Sequence, residues 1–321
     1  MSTVRVAAVD CGTNSLRLLI ADIDRAARTL ADVGRRMEIV RLGQGVDATG
    51  RIGAQPLART LRVLEEYAAE IAGSCAARVR MVATSAIRDA ANAEEFIRGA
   101  RGILGVAPEV LTGDEEANLS FTGATAEFAA GGPGTPLRPY LVVDIGGGST
   151  EFVAGDDRPG AAGPVAAVSV DIGCVRMTER HLHSDPPLPA EVAAATADID
   201  AALETVAEKV PAGAAGTLIG LAGSVTTVAA VALGLPGYDP ARIHHAVIPA
   251  AQVHRVAAAL LSQTRQERAR IAVMHPGRVD VIGAGALVLD RIMARFGFGE
   301  VVASEHDILD GIAWSLGAGK P

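Results

Sequence analysis

Val9-Asp10-Cys11-Gly12-Thr13-Asn14-Ser15 and Val143-Asp144-Ile145-Gly146-Gly147-Gly148-Ser149 share one pattern, V-D-x-G-x-x-S, and each closes an apolar run. A second apolar run follows each copy, Leu16 to Ile23 after the first and Thr150 to Ala154 after the second. A short turn between two such runs predicts an antiparallel hairpin. Two copies are too few for a solenoid. They fit a duplicated domain with pseudo-twofold symmetry.

Working outward from the first copy, Val4 to Val9 reads as a buried strand and Ile39 to Leu42 as a third strand ending at Gly43-Gln44-Gly45. Pro56 suits the first turn of a helix that sets Leu57, Leu61, Leu64, Ala68 and Ile71 on one face. Val79 to Thr84 predicts a strand, Glu94 to Arg101 a helix, and Val106 to Leu111 a short strand before a long helix. Strands separated by helices run parallel. Around the second copy, Tyr140 to Val143 and Val165 to Val170 read as strands. Helices are expected near Ala190 to Val210, Ala250 to Leu261 and Val279 to Phe296, with a strand at Leu218 to Ala222. The fold class is α/β, mixed sheets with helices on their faces. The break lies in the helix after Glu116 or in the Gly/Pro-rich run Ala129 to Pro139. It is placed near residue 125, giving domains 1–124 and 125–321.

A length of 321 residues with 49% hydrophobic residues suffices for two cores. The net charge of -8 argues against tracking nucleic acid by electrostatics, and 3% aromatic residues against stacking on bases. Any anion is then held locally, by backbone N–H groups, a few arginines and a metal ion. Cys11, Cys75 and Cys174 are an odd number without a C-x-x-C, so no disulfide framework or zinc ribbon is indicated. Cys11 reads as a small apolar filler. The start of the chain lacks the order of a signal peptide, and no apolar run is long enough for a membrane span. A cytoplasmic protein with no membrane partner is expected.

Turns built of Gly, Ser and Thr present consecutive N–H groups to an anion. Gly12, Thr13, Asn14 and Ser15 form one such turn, and Gly146, Gly147, Gly148 and Ser149 the other. Hairpins use the same residues for conformation alone, but two matching turns favour a shared phosphate ligand. Asp144 and Glu151 end the second hairpin. Carboxylates beside phosphate need a cation between them, and Mg²⁺ (or Mn²⁺) takes one or two carboxylates plus phosphate oxygens. The bland alternative makes Asp144 a turn residue and Glu151 a solvated strand residue.

Thr112-Gly113-Asp114-Glu115-Glu116 contains a capping box, Thr112 with Glu115. Glu116 is not needed for the cap and is a candidate to orient and deprotonate a water. Arg88, after a strand end, either clamps phosphate or pairs with Asp89. Arg17 is a weaker phosphate candidate. Gly223 and Ser224 sit at a strand-to-helix step that either receives an anion or is simply a capped helix. His181, His183, His244, His245 and His275 read as loop or surface residues without a catalytic role.

Taken in order, Asp10 to Arg17, Thr84 to Asp89, Gly113 to Ala117, Asp144 to Glu151, Ala222-Gly223-Ser224 and Arg278 to Ile282 resemble the exopolyphosphatase and guanosine pentaphosphate phosphohydrolase family. That family lies in the actin, sugar-kinase and Hsp70 ATPase superfamily, and the overall pattern is similar to its short actinobacterial form. The resemblance implies two actin-like (ribonuclease H-like) domains, each a mixed five-stranded sheet with flanking helices, and an active site in the interdomain cleft. The last helix would pack back on the N-terminal domain. It also implies Glu116 as catalytic base, Asp144 and Glu151 as acids serving Mg²⁺ or Mn²⁺, and phosphate contacts from both turns, Arg88, Gly223 and Ser224.

Two departures stand out. The chain ends without the extra helical region of longer members, which bears on processivity. His306 and Leu309 occupy places where the family often has a glycine and an arginine, which removes a phosphate contact and favours short chains or a nucleotide. The implied function is release of orthophosphate from inorganic polyphosphate. The rivals are hydrolysis of guanosine pentaphosphate, an ATP-dependent kinase or chaperone-like ATPase, and a sensor of polyphosphate or an alarmone without catalysis. Dependence on K⁺ and a homodimer are left open by the sequence.

Overall fold

The computed structural model describes residues 3–129, 135–157 and 163–317. Part of the Ala129 to Pro139 run named above as a candidate break, residues 130–134, lies outside the described residues. Along the chain come β1 (Thr3–Cys11), β2 (Ser15–Asp24), β3 (Thr29–Ile39), α1 (Val46–Thr49), α2 (Ala54–Ser74), β4 (Arg78–Ala83), α3 (Ser85–Arg88), α4 (Ala93–Leu104), β5 (Glu109–Val110) and α5 (Gly113–Thr125). Then follow β6 (Tyr140–Ile145), β7 (Thr150–Asp156), β8 (Gly163–Val170), α6 (Cys174–His181), α7 (Pro189–Lys209), β9 (Thr217–Leu221) and α8 (Ala222–Ala232). The remainder is α9 (Pro240–Ile243), β10 (Val247–Pro249), α10 (Ala250–Ser262), α11 (Arg265–Arg268), α12 (Ile282–Phe296), β11 (Glu300–Ala303) and α13 (Ile308–Gly317). The chain divides into two compact units, Met1–Gly123 with Ile308–Pro321, and Ala124–Asp307.

In the first unit the sheet order is β3-β2-β1-β4-β5, with β1, β2 and β3 antiparallel and β4 and β5 parallel to their neighbours. Side chains alternate between faces along a strand. Val9, Leu16 and Leu18 therefore pack on one face against Leu64, Tyr67 and Phe96 of α2 and α4. Val6, Ala8, Leu19 and Ile23 pack on the other against Ile308, Leu309 and Ile312 of α13. Leu309 is thus a core residue at 2% exposure.

The third strand is not Ile39 to Leu42 as expected but Thr29–Ile39. Its residues are mostly exposed or half-buried, as on a sheet edge, so it carries little apolar signal. Val40 and Leu42, which supplied that signal, are buried in the loop that follows. The strand expected over Val106 to Leu111 shortens to Glu109–Val110.

The second unit has the order β10-β11-β9-β6-β7-β8. It repeats the hairpin-plus-parallel-strand plan, with β6/β7 and β7/β8 antiparallel and β6/β9 and β9/β11 parallel. It holds six strands rather than five, because Val247–Pro249 adds an antiparallel edge to β11. Three residues ending in proline are too short to show a period. Both sheets are mixed, and both are flanked by helices. The core of this unit lies between its sheet and α7, α8, α10 and α12. Among the described residues no helix is long and apolar enough to cross a membrane.

Candidate active site

In the first unit the β1–β2 turn closes on itself, Gly12 N donating to Ser15 O at 3.0 Å. A neighbouring loop then fixes its peptide planes. Gly43 N donates to Thr13 O at 2.9 Å, and Val40 N and Arg41 N donate to Asn14 O at 3.0 and 2.8 Å. In a trans peptide the C=O and the following N–H point opposite ways. Bonding the carbonyls of Thr13 and Asn14 therefore turns the N–H groups of Asn14 and Ser15 away from that loop. A Cβ on Gly43 would lie 2.3 Å from Thr13 Cγ2, so only glycine lets the loop come this close. Thr13 Oγ1 and Ser85 Oγ share a buried hydrogen bond of 2.9 Å.

The second turn uses the same device with a helix in place of the loop. Gly146 N donates to Ser149 O at 3.0 Å. The first amides of α6 donate to the turn: Cys174 N to Gly146 O at 2.9 Å, Val175 N to Gly147 O at 2.8 Å, and Gly173 N to Gly148 O at 3.2 Å. Arg176 Nε also donates to Gly148 O, at 2.7 Å. The otherwise unsatisfied amides at the helix start are thereby used. The N–H groups of Gly147, Gly148 and Ser149 are turned outward. A Cβ on Gly173 would sit 2.3 Å from Gly147 C and O. Neither Gly43 nor Gly173 was assigned a role from sequence, and nothing in a lone glycine shows what its missing side chain would strike.

The two hairpins differ in charge at one matched position. Asp10 pairs across the strands with Arg17, and Asp144 with Glu151. Directly opposed residues on antiparallel strands share a face and lie close. In the first hairpin the pair is an ion pair, with Arg17 Nη2 2.6 Å and Nε 2.9 Å from Asp10 Oδ2. Arg17 is thus the counter-ion of Asp10. In the second hairpin two carboxylates face each other, Asp144 at 6% and Glu151 at 1% exposure. Ser169 Oγ donates to Glu151 Oε1 at 2.7 Å from the next strand. Glu151 is a buried side chain rather than the solvated strand residue of the bland alternative.

Glu116 lies in the first turn of α5 and is 8% exposed. The cap belongs to its neighbours: Glu115 Oε2 accepts from Thr112 N and Thr112 Oγ1, both at 2.9 Å. The Thr112 amide is the main cause that holds the Glu115 carboxyl below the usual range. Arg88 Nη1 donates to Leu111 O at 2.9 Å and to Glu116 Oε2 at 3.1 Å. Arg88 therefore has Glu116 as a partner within the first unit. Gly311 of α13 brings that helix against α5, since a Cβ there would lie 2.0 Å from Leu119 O.

Gly223 and Ser224 fall in the first turn of α8, which starts at Ala222 with φ 65°. Arg278 lies over that turn, with Nη1 3.3 Å from Gly223 O and 3.2 Å from Thr227 Oγ1. Gly285 of α12 leaves room for Ser224, whose Oγ would stand 2.3 Å from an added Cβ. Ser85 thus supports the first turn, while Arg278 and Thr227 lie at the start of α8 in the second unit. Cys11 is fully buried; burial and then the Asp10 charge push its thiol well up, as suits a filler.

A family model described as the Ppx/GppA phosphatase family matches residues 19–316. The chain is 49% identical to a protein of Mycobacterium tuberculosis named Exopolyphosphatase 2, over 98% of this chain and 99% of that one. A solved exopolyphosphatase-like protein superposes with a TM-score of 0.91 at 42% identity, covering 98% of both chains. The PPX-GPPA enzyme of Aquifex aeolicus superposes with a TM-score of 0.80 at 31% identity, over 98% of this chain and all of that one.

Proposed function

The chain belongs to the Ppx/GppA phosphatase family, and we propose that it is an exopolyphosphatase releasing orthophosphate from the end of inorganic polyphosphate. The observation that carries the reading is the acid pair, Asp144 opposite Glu151, at the base of a turn whose amides are aimed outward. Two buried carboxylates on one face repel each other. With phosphate oxygens nearby, they are the donor set of a hard divalent cation that keeps much of its water. These residues suit Mg²⁺ (or Mn²⁺), which when bound neutralises charge on the phosphoryl group being transferred.

The rest of the chemistry falls to the chain. The amides of Asn14, Ser15, Gly147, Gly148 and Ser149 hold phosphate oxygens, with Gly12, Thr13 and Gly146 shaping their turns. The first turn of α8, at Gly223 and Ser224, adds donors. Arg88 orients Glu116 through Nη1 and shares in binding phosphate. Glu116 accepts a proton from a water whose oxygen bonds to the terminal phosphorus. The bridging P–O bond breaks and its electron pair stays with the shortened chain. Positioning and electrostatics supply most of the rate in such reactions. Leu309 is buried among apolar residues and offers no charge to a longer chain, which supports a preference for short polyphosphate.

Phosphate release should be compared on short polyphosphate, long polyphosphate and guanosine pentaphosphate, with Mg²⁺ and after chelation. Short polyphosphate is expected to be the fastest substrate, with activity falling to background without the cation. Faster release from the nucleotide would move the assignment to a pentaphosphate hydrolase. Binding of polyphosphate in Mg²⁺ without release would make the chain a sensor.

A further inference from the structure

Away from both turns, three imidazoles converge on one carboxylate oxygen. Glu127 lies in the short turn Ala126–Phe128. Its Oε1 stands 3.1 Å from His244 Nε2, 2.9 Å from His245 Nε2 and 3.3 Å from His306 Nδ1. The rings of His244 and His245 stack with centroids 3.8 Å apart. His244 is half-buried and His245 exposed, and both belong to one cluster rather than being the independent surface histidines that the sequence suggested. Ligand atoms of Glu127, His244 and His245 all lie within 4.8 Å of one another.

Two further features mark the cluster. His244 Nε2 is buried and, though near the carboxylate, has no hydrogen-bond partner. His245 adopts φ 62°, a costly region for a residue with a side chain, and is pinned there by its N–H to Ala303 O at 2.7 Å. We propose that Glu127, His244 and His245 form a binding site for one Zn²⁺ ion, with His306 beside it.

Metal–ligand bonds of about 2.0–2.2 Å set adjacent donors roughly 3 Å apart, close to the separations from Glu127 to the two rings. Imidazole-rich sets select first-row transition metals, whereas Mg²⁺ takes oxygen donors. The site is therefore chemically distinct from the acid pair Asp144 and Glu151. Glu305 N donates to His244 Nδ1 at 3.2 Å, which leaves the proton of a neutral ring on Nε2. Zinc at Nε2 displaces that proton to Nδ1 and loses the contact, so a micromolar rather than nanomolar affinity is expected.

The test is titration of the tag-free full chain with Zn²⁺ against a chromogenic chelator, in millimolar Mg²⁺, and with Co²⁺ followed by visible absorption. One Zn²⁺ per chain and Co²⁺ ligand-field bands are expected. Glu127→Gln, which keeps the shape of the side chain, and His244→Gln should each lose more than the roughly 10- to 100-fold expected of an outer-shell change. Zn²⁺ should raise the melting temperature of the wild type and not of the variants. Cys75→Ser, which removes an exposed thiol, should bind like the wild type. No zinc binding by the wild type, or equal binding by Glu127→Gln and His244→Gln, would overturn the proposal.

Discussion

Glu116→Gln is expected to lower kcat for phosphate release by about 10²- to 10⁴-fold, the usual worth of a positioned general base, with KM and fold little changed. The fold should survive because the helix cap is made by Thr112 and Glu115. Glutamine matches glutamate in size, and its carbonyl oxygen can still accept from Arg88 Nη1. Loss of a negative charge in the first turn of α5 removes a helix-dipole contribution of about 0.3–1 kcal/mol. That is small beside a domain stability of about 5–15 kcal/mol. Steady-state kinetics and a thermal melt on the same preparation check both halves. Undiminished kcat would put the base elsewhere.

Neutralising either acid of the second hairpin is expected to move activity and apo stability in opposite directions. Asp144→Asn or Glu151→Gln should lower activity by about two orders of magnitude or more, because metal stabilisation of transferring charge is worth several kcal/mol. The same changes relieve repulsion between two buried carboxylates on one face. Melting temperature in chelator should therefore rise, and the rise that Mg²⁺ gives the wild type should vanish. The first hairpin provides the contrast. Asp10→Asn breaks a largely buried ion pair with Arg17 and should destabilise by about 3–5 kcal/mol, with or without Mg²⁺. Calorimetry with and without the cation separates the two cases. Lower stability of Glu151→Gln in chelator would make the acid pair structural.

What was legible in the sequence was whatever repeats or alternates. The two V-D-x-G-x-x-S turns, their flanking strands and the long helices follow from local pattern. So does the separation of the Thr112–Glu115 cap from Glu116, since a capping box has fixed spacing. Strand register was not legible. Only pairing shows that Asp10 meets Arg17 while the matched Asp144 meets Glu151. Edge strands were missed or misplaced because polar residues along β3 and the brevity of β10 hide their period. The braces Gly43 and Gly173 were invisible because their role is a close approach between segments far apart in sequence. The same holds for Glu127, His244, His245 and His306, which become one cluster only through the fold.

Hydrolysis of short polyphosphate in ¹⁸O-labelled water is the most direct measurement of whether water is delivered to the terminal phosphorus. With wild-type chain and Mg²⁺, each released orthophosphate should carry a single heavy oxygen and the remaining chain none. Label in the shortened polymer, or orthophosphate that stays light, would contradict terminal attack by water.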